Sequence, residues 1–319
     1  MALERAYHAV NDTIVDILRL NIVPWIKPFN RKVLPFNAAT KKPYRGINLF
    51  LLNTHNYQDP RFITWSQANK LDGYCDPKAK RHLGTFWNYR YFDKTTGNEL
   101  TEHETKLMPD ENIKKNVTLQ AYEIMNYEAF EGIISKRVDL TNNPQAKGII
   151  VRDDEEWLDL DPTEPYVPNF NENLFNVTKA EKIIAKMPNL PTIVEVNHIP
   201  ATYSRTNDVI HMPKMELFNT PSEYYAYKVK LLIASTGHRF RLNRYYKNTD
   251  ALYAYNTEQL ISCMGAAILC GHIGIKPYVP VNLDKLVKDW ISIATSGNYK
   301  YFIDAASKAQ QAVDHILNK

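Results

Sequence analysis

The stretch Tyr224-Tyr225-Ala226-Tyr227-Lys228-Val229-Lys230-Leu231-Leu232-Ile233-Ala234-Ser235-Thr236-Gly237-His238 decides how the second half of this chain is read. Its apolar residues recur at helical spacing, so a long helix is expected over Ser222 to Thr236, stopped at Gly237. A zinc-protease helix needs two histidines four residues apart, so that both reach one metal, and a glutamate beside the first as general base. This stretch holds no such pair.

Around that helix the pattern is mixed. Upstream lie an expected helix (Thr178 to Lys186), a strand (Thr192 to Val196) and a hairpin-like segment (Ala201 to Pro213); downstream a second helix runs from about Thr257 to Cys270, with Cys263 and Cys270 on one buried face. Residues 152–173 hold one Arg against eight acids, with Pro162, Pro165 and Pro168 and no sustained period, which marks a linker. Before it, Ala6, Val10, Ile14, Ile17, Leu18 and Ile22 predict a first helix that Pro24 stops. Short helices are expected over Asn48 to Asn53 and after Trp65. Alternating aromatics from Thr85 to Phe92, then Asp93 to Asn98, read as a strand and turn, and Val117 to Tyr127 as a second strand. The expected class is α+β in two domains, 1–151 and 174–319, joined by the acidic linker 152–173.

Residues 1–94 carry 15 Lys+Arg against 7 Asp+Glu, a net of +8, which suggests a polyanion-binding module set apart from the rest of the chain. Within it cations and aromatics interleave: Trp25, Lys27, Arg31 and Lys32, then Lys41, Lys42, Tyr44 and Arg45, then Arg61 and Trp65, then Lys80 and Arg81. Single-stranded nucleic acid is held by cations along its phosphates and by aromatic faces under its bases. The competing reading makes Trp25 and Trp65 core residues and the lysines solubilising charge.

Other chemistries find no foothold. The glycines form no phosphate loop, no G-x-S-x-G elbow occurs, and the nine histidines make no ligand-spaced helical pair, so no cofactor is expected. Three cysteines are too few for a disulfide framework and point to a reducing cytosol. No run approaches the roughly 20 apolar residues of a spanning helix, so no membrane partner is expected.

The order Pro24-Trp25, Asn37-Ala38-Ala39-Thr40, Pro43-Tyr44-Arg45-Gly46-Ile47-Asn48, Pro60-Arg61-Phe62-Ile63-Thr64 and Glu131-Gly132-Ile133, followed by Met212-Pro213, Thr236-Gly237-His238, Arg241-Leu242-Asn243-Arg244 and Gly265-Ala266-Ala267, resembles the ArdC-type antirestriction proteins of plasmids and phages. The resemblance implies an N-terminal single-stranded DNA-binding domain and a C-terminal zinc-metallopeptidase-like domain. Aligned on Thr236-Gly237-His238, the family's H-E-x-x-H falls on Lys230 to Ala234, and its downstream acid on Cys263. Lys230, Leu231, Ala234 and Cys263 therefore mark a degenerate metal site, and the expectation is a pseudo-metalloprotease that binds single-stranded DNA in the cytoplasm of a bacterial host, in antirestriction or DNA protection. Three alternatives stay open: an inhibitor that occupies a host defence protein, a phage replication or packaging factor, and a residual zinc enzyme using His198, His211 or His238.

Overall fold

The computed structural model describes residues 2–29, 34–55, 57, 59–70, 73–131, 177–198, 200–244 and 249–319. The expected linker and the domain boundaries at 151 and 174 lie outside them.

The N-terminal part opens with α1 (Ala2–Arg19), whose Ala6, Val10, Ile14 and Leu18 are buried at helical spacing. After β1 (Phe36–Asn37) come α2 (Ile47–Asn53), β2 (Arg61–Ile63) and α3 (Trp65–Asn69). Helix α3 starts at a capping box in which the Thr64 hydroxyl accepts from Gln67 N while the Gln67 side chain accepts from Thr64 N. Next are β3 (Tyr74–Cys75), β4 (Arg81–Asp93), β5 (Glu99–Leu100), α4 (Glu102–Leu107), β6 (Ile113–Asn126) and β7 (Phe130–Glu131). Five strands form one sheet in the order β1-β2-β6-β4-β5, parallel between β1 and β2 and antiparallel elsewhere. The long β4/β6 pair, in unbroken register from Arg81↔Met125 to Asp93↔Ile113, is its spine.

The C-terminal part contains α5 (Val177–Ile184), β8 (Thr192–Val196), β9 (Thr202–Ser204), β10 (Val209–Pro213), α6 (Pro221–Ser235), α7 (Ala251–Ile273), α8 (Leu283–Thr295) and α9 (Tyr301–Leu317). Its sheet has the order β8-β10-β9, with β8 parallel and β9 antiparallel to β10. Helix α7 is buried almost all round from Leu260 to Gly271, including Cys263 and Cys270, because α6 and α9 pack against it. It starts earlier than expected, at Ala251, where Asp250 caps it. Helices α8 and α9 lie beyond the elements expected from the sequence.

The two parts do not form separate cores. One contiguous cluster runs from Val10, Ile14 and Trp25 through Leu49 and Phe50 to Ile268, Trp290, Phe302 and Ala309. Helix α1 packs on α8 and α9, and the Asn11 amide donates to Ala294 O. The basic module is thus built onto the C-terminal part rather than set apart from it. A second, small core (Ile63, Ala68, Cys75, Met125, Tyr127 and Phe130) lies between β2, α3, β3 and β7.

Candidate functional site

The interleaved cations and aromatics of the first 94 residues divide into three groups. Trp25, expected as a base-stacking residue, is fully buried and packs edge-on against Phe50 and Trp290, with Phe302 beside it. It joins the two halves of the core and cannot reach a base. Tyr44 is also buried; its hydroxyl accepts from Asn37 Nδ2 at 3.2 Å, and burial raises its pKa. Arg61 is largely enclosed: its guanidinium lies on the Asp59 carboxylate, with Nε to Oδ1 at 2.8 Å, and 4.0 Å over the Tyr127 ring. A guanidinium already holding a carboxylate and an aromatic face has little left for a phosphate. Lys27 is half-buried, donates to His55 O at 3.3 Å, and has its pKa lowered by burial.

Arg45 is exposed but pairs with Asp314 on α9. With its neighbours it forms a joint between the two parts. Gly46 has φ +57°, a left-handed conformation that a side chain would strain, and its N–H donates to Gln310 Oε1 at 3.1 Å. Asn48 clips β4, donating to Thr85 O at 2.7 Å and accepting from Thr85 N at 2.8 Å. The segment Pro43 to Asn48 therefore docks the sheet onto α9.

The third group is open to solvent. Lys41, Lys42 and Lys80 are exposed, Trp65 is 48% exposed, and Arg81 pairs with Glu123 at 2.7 Å on the surface. Trp65, Arg81, Glu123 and Met125 line an open cleft of about 310 Å³. Asn37 Nδ2 donates to Gln67 Oε1 at 3.0 Å, which draws the turn carrying Lys41 and Lys42 toward α3 and Trp65. Arg31 and Lys32 lie outside the described residues.

In the C-terminal part, helix α6 keeps its scaffold. Thr220 caps it and Pro221 opens it. Three arginines close its other end, where unpaired carbonyls gather negative potential. Arg244 donates to Ile233 O at 3.1 Å, to Thr236 Oγ1 at 2.7 Å and to both oxygens of Glu258. Arg241 donates to Ser235 O at 2.8 Å and holds Asp208, and Arg205 donates to Gly237 O at 3.2 Å. Burial alone would raise the Asp208 carboxyl, but hydrogen bonds from Arg241 and Tyr203 bring its pKa below the usual range. His238 turns Nδ1 toward Asp208 at 3.7 Å. Gly265 lets α7 approach: a Cβ there would lie 2.6 Å from Ile233 Cγ2. The motifs at 236–244 and 265–267 are thus accounted for by packing and capping.

The middle of the same helix does not fit a divalent metal. Lys230 Nζ donates to Gln259 Oε1 at 3.0 Å and sits 5.0 Å over the Tyr278 ring. Leu231 is buried in the core, Ala234 has no donor, and burial raises the Cys263 thiol to about 11. An ammonium, two hydrocarbons and a protonated thiol offer one weak ligand, beside a positive charge that repels a cation.

The architecture defines a two-domain α+β protein whose second part is a zincin-like metallopeptidase fold. A family model for the N-terminal domain of anti-restriction factor ArdC matches residues 4–127, and one for a zincin-like metallopeptidase matches residues 178–308. The chain thus joins an ArdC-type N-terminal domain to a zincin-like metallopeptidase domain, in that order. The structure of the antirestriction ArdC protein from plasmid R388 is similar in its metal-free form (TM-score 0.68, 22% identity, 97% of this chain and 96% of that one) and in its Mn(II)-bound form (TM-score 0.69, 22% identity, 98% and 97%). Among curated proteins, a DNA primase TraC of Escherichia coli is 24% identical over 98% of this chain and 27% of that protein. An uncharacterized protein y4eC of Sinorhizobium fredii is 21% identical over 92% and 83%. The chain spans about a quarter of the length of the TraC relative.

No helix among the described residues is long and apolar enough to cross a membrane.

Proposed function

We propose that this chain binds single-stranded nucleic acid, DNA in preference, at the end of the N-terminal domain bearing Trp65, Arg81, Lys80, Lys41 and Lys42, in a plasmid or phage antirestriction setting. The observation that carries the reading is Trp65. An indole left half exposed in a cleft beside the surface Arg81–Glu123 pair offers a face for a base, and the exposed Lys41, Lys42 and Lys80 of the same domain can neutralise phosphates. The ArdC-type N-terminal domain and the names of the relatives agree with this class of partner.

Fluorescence anisotropy with a labelled oligothymidylate tests it. Affinity should exceed that for duplex of equal length and fall with salt by about 0.7 log units per log salt for each neutralised phosphate. W65A should cost about 1–3 kcal/mol, and R81E should weaken binding further. Equal affinity at roughly 50 and 200 mM salt contradicts the reading.

On the same reading the zincin-like domain hydrolyses no peptide. The support is chemical: no residue at 230, 231 or 234 can hold a metal or activate water. Elemental analysis decides it, since stoichiometric zinc or manganese that is lost on changing Cys263 or Lys230 would refute it.

A further inference from the structure

The β4/β6 ribbon carries rings that lie outside the Trp65 cleft. Side chains two apart on a strand share a face about 6.5 Å apart, so Trp87, Tyr89 and Tyr91 line one face of β4. Lys115, directly opposite Tyr91, places its ammonium 4.4 Å from the Tyr89 centroid and 5.9 Å from that of Tyr91. Trp87 and Tyr89 are 39% and 48% exposed, and Lys115 is exposed.

The row does not end with the strand. The Trp87 ring meets Tyr7 of α1 edge-on at 6.3 Å, and Tyr7 meets Tyr299, in the loop between α8 and α9, also at 6.3 Å. Tyr299 stacks on exposed His8 at 4.4 Å with 27° between planes, and the exposed Lys300 ammonium lies 5.0 Å over Tyr7. Tyr7 itself is buried and serves as the link. Asp304 acts on Tyr7 from α9, the acid to set against Lys115 and Lys300.

We infer that this aromatic row is a second stacking track for single-stranded nucleic acid, running from the ribbon across α1 onto the zincin-like domain, with Tyr89, Tyr91 and Tyr299 under bases and Lys115 and Lys300 on phosphates. The occupant is set by the chemistry: the exposed Tyr89 ring, with the partly exposed Tyr91 and Tyr299 rings in the same row and ammonium groups beside them, complements a polyanion whose bases are free to stack. A duplex hides those faces. The inference rests on the proposed reading of the chain as a binder of single strands, and it gives the C-terminal domain a share in that binding.

The experiment compares oligothymidylate affinity and salt slope for the full chain and four variants, W65A among them, each checked for an unchanged melting temperature. Y89A/Y91A should weaken binding at least tenfold while Y89F/Y91F stays within twofold, because phenylalanine keeps the stacking face. K115A/K300A should reduce the log–log salt slope by about 1.4, two phosphates' worth for a single strand. Y89A/Y91A and K115A/K300A both indistinguishable from the unaltered chain, with W65A still impaired, overturns the track and leaves the Trp65 site standing. An unaltered chain that fails to bind single strands overturns both. If Y89A/Y91A abolishes capture of a protein partner but leaves oligothymidylate affinity intact, the row is a protein-docking surface and the inference is wrong.

Discussion

The two stretches of helix α6 contrast sharply. At its C-terminal end three arginines hold the chain: Thr236 Oγ1 and Ile233 O accept from Arg244, Ser235 O from Arg241 and Gly237 O from Arg205. Within the helix, Lys230, Leu231 and Ala234, which the proposed reading sets at the metal-ligand and base positions of a zincin, pack as ordinary helix residues. The difference separates what holds a fold from what performs a reaction. Removing a buried guanidinium breaks several hydrogen bonds at once, whereas a metal-ligand position can be refilled by any side chain that suits its surroundings.

Arg244→Ala should break the contrast hardest. It removes a buried guanidinium's hydrogen bonds to Glu258, Thr236 Oγ1 and Ile233 O and should destabilise by about 3–5 kcal/mol, read by denaturant or thermal melts; Lys230→Met, removing one amide contact and one ring contact, should cost about 1 kcal/mol. Equal losses would show that the two stretches are not different in kind. Gly265→Ala should cost about 1–3 kcal/mol through overpacking against Ile233, and Ile233→Val should recover part of it. A third effect is pH-dependent. The lowered Asp208 pKa means that its stabilisation is complete at neutral pH and is lost as pH falls below the unfolded carboxylate value through the lowered folded one. Asp208→Asn should therefore lower the melting temperature at pH 7 and flatten its acid decline, and an unchanged acid arm contradicts the role given to the Arg241–Asp208 pair. The smallest expected effect is nil: a chelator or added Mn(II) should shift the unaltered chain's melting temperature by less than about 1 °C, because a ligand that does not bind the native state cannot stabilise it.

Much of the architecture is legible from local pattern. The first helix shows a period that reflects a single exposed side, and the aromatic strand and its turn, the hairpin at 201–213 and the helix ending at Gly237 are marked by local composition and punctuation. Helix α7 is legible only in part because burial on all sides erases its polar face. Trp25 and Tyr44 resemble surface candidates because an aperiodic loop rich in Pro, Trp and Lys looks alike whether its rings face solvent or a neighbouring helix. Their burial depends on α8, α9 and Tyr122, far along the chain. Arg61 illustrates the same limit, since Tyr127 takes one of its faces. The row at 87–91 is legible as a strand but not as a surface; only the contact of Trp87 with Tyr7, and of Tyr7 with Tyr299, extends it into the second domain.

The sequence by itself determined the α+β make-up of each part, because strand and helix periods are local, and it fixes that Lys230, Leu231 and Ala234 carry no carboxylate or imidazole, on which the proposal of an inactive zincin-like domain rests. Tertiary structure alone decided which of the cations and aromatics are free to meet a ligand, and that the two parts share one core. Both depend on burial by residues tens to hundreds of positions away, a property of packing that no local pattern carries.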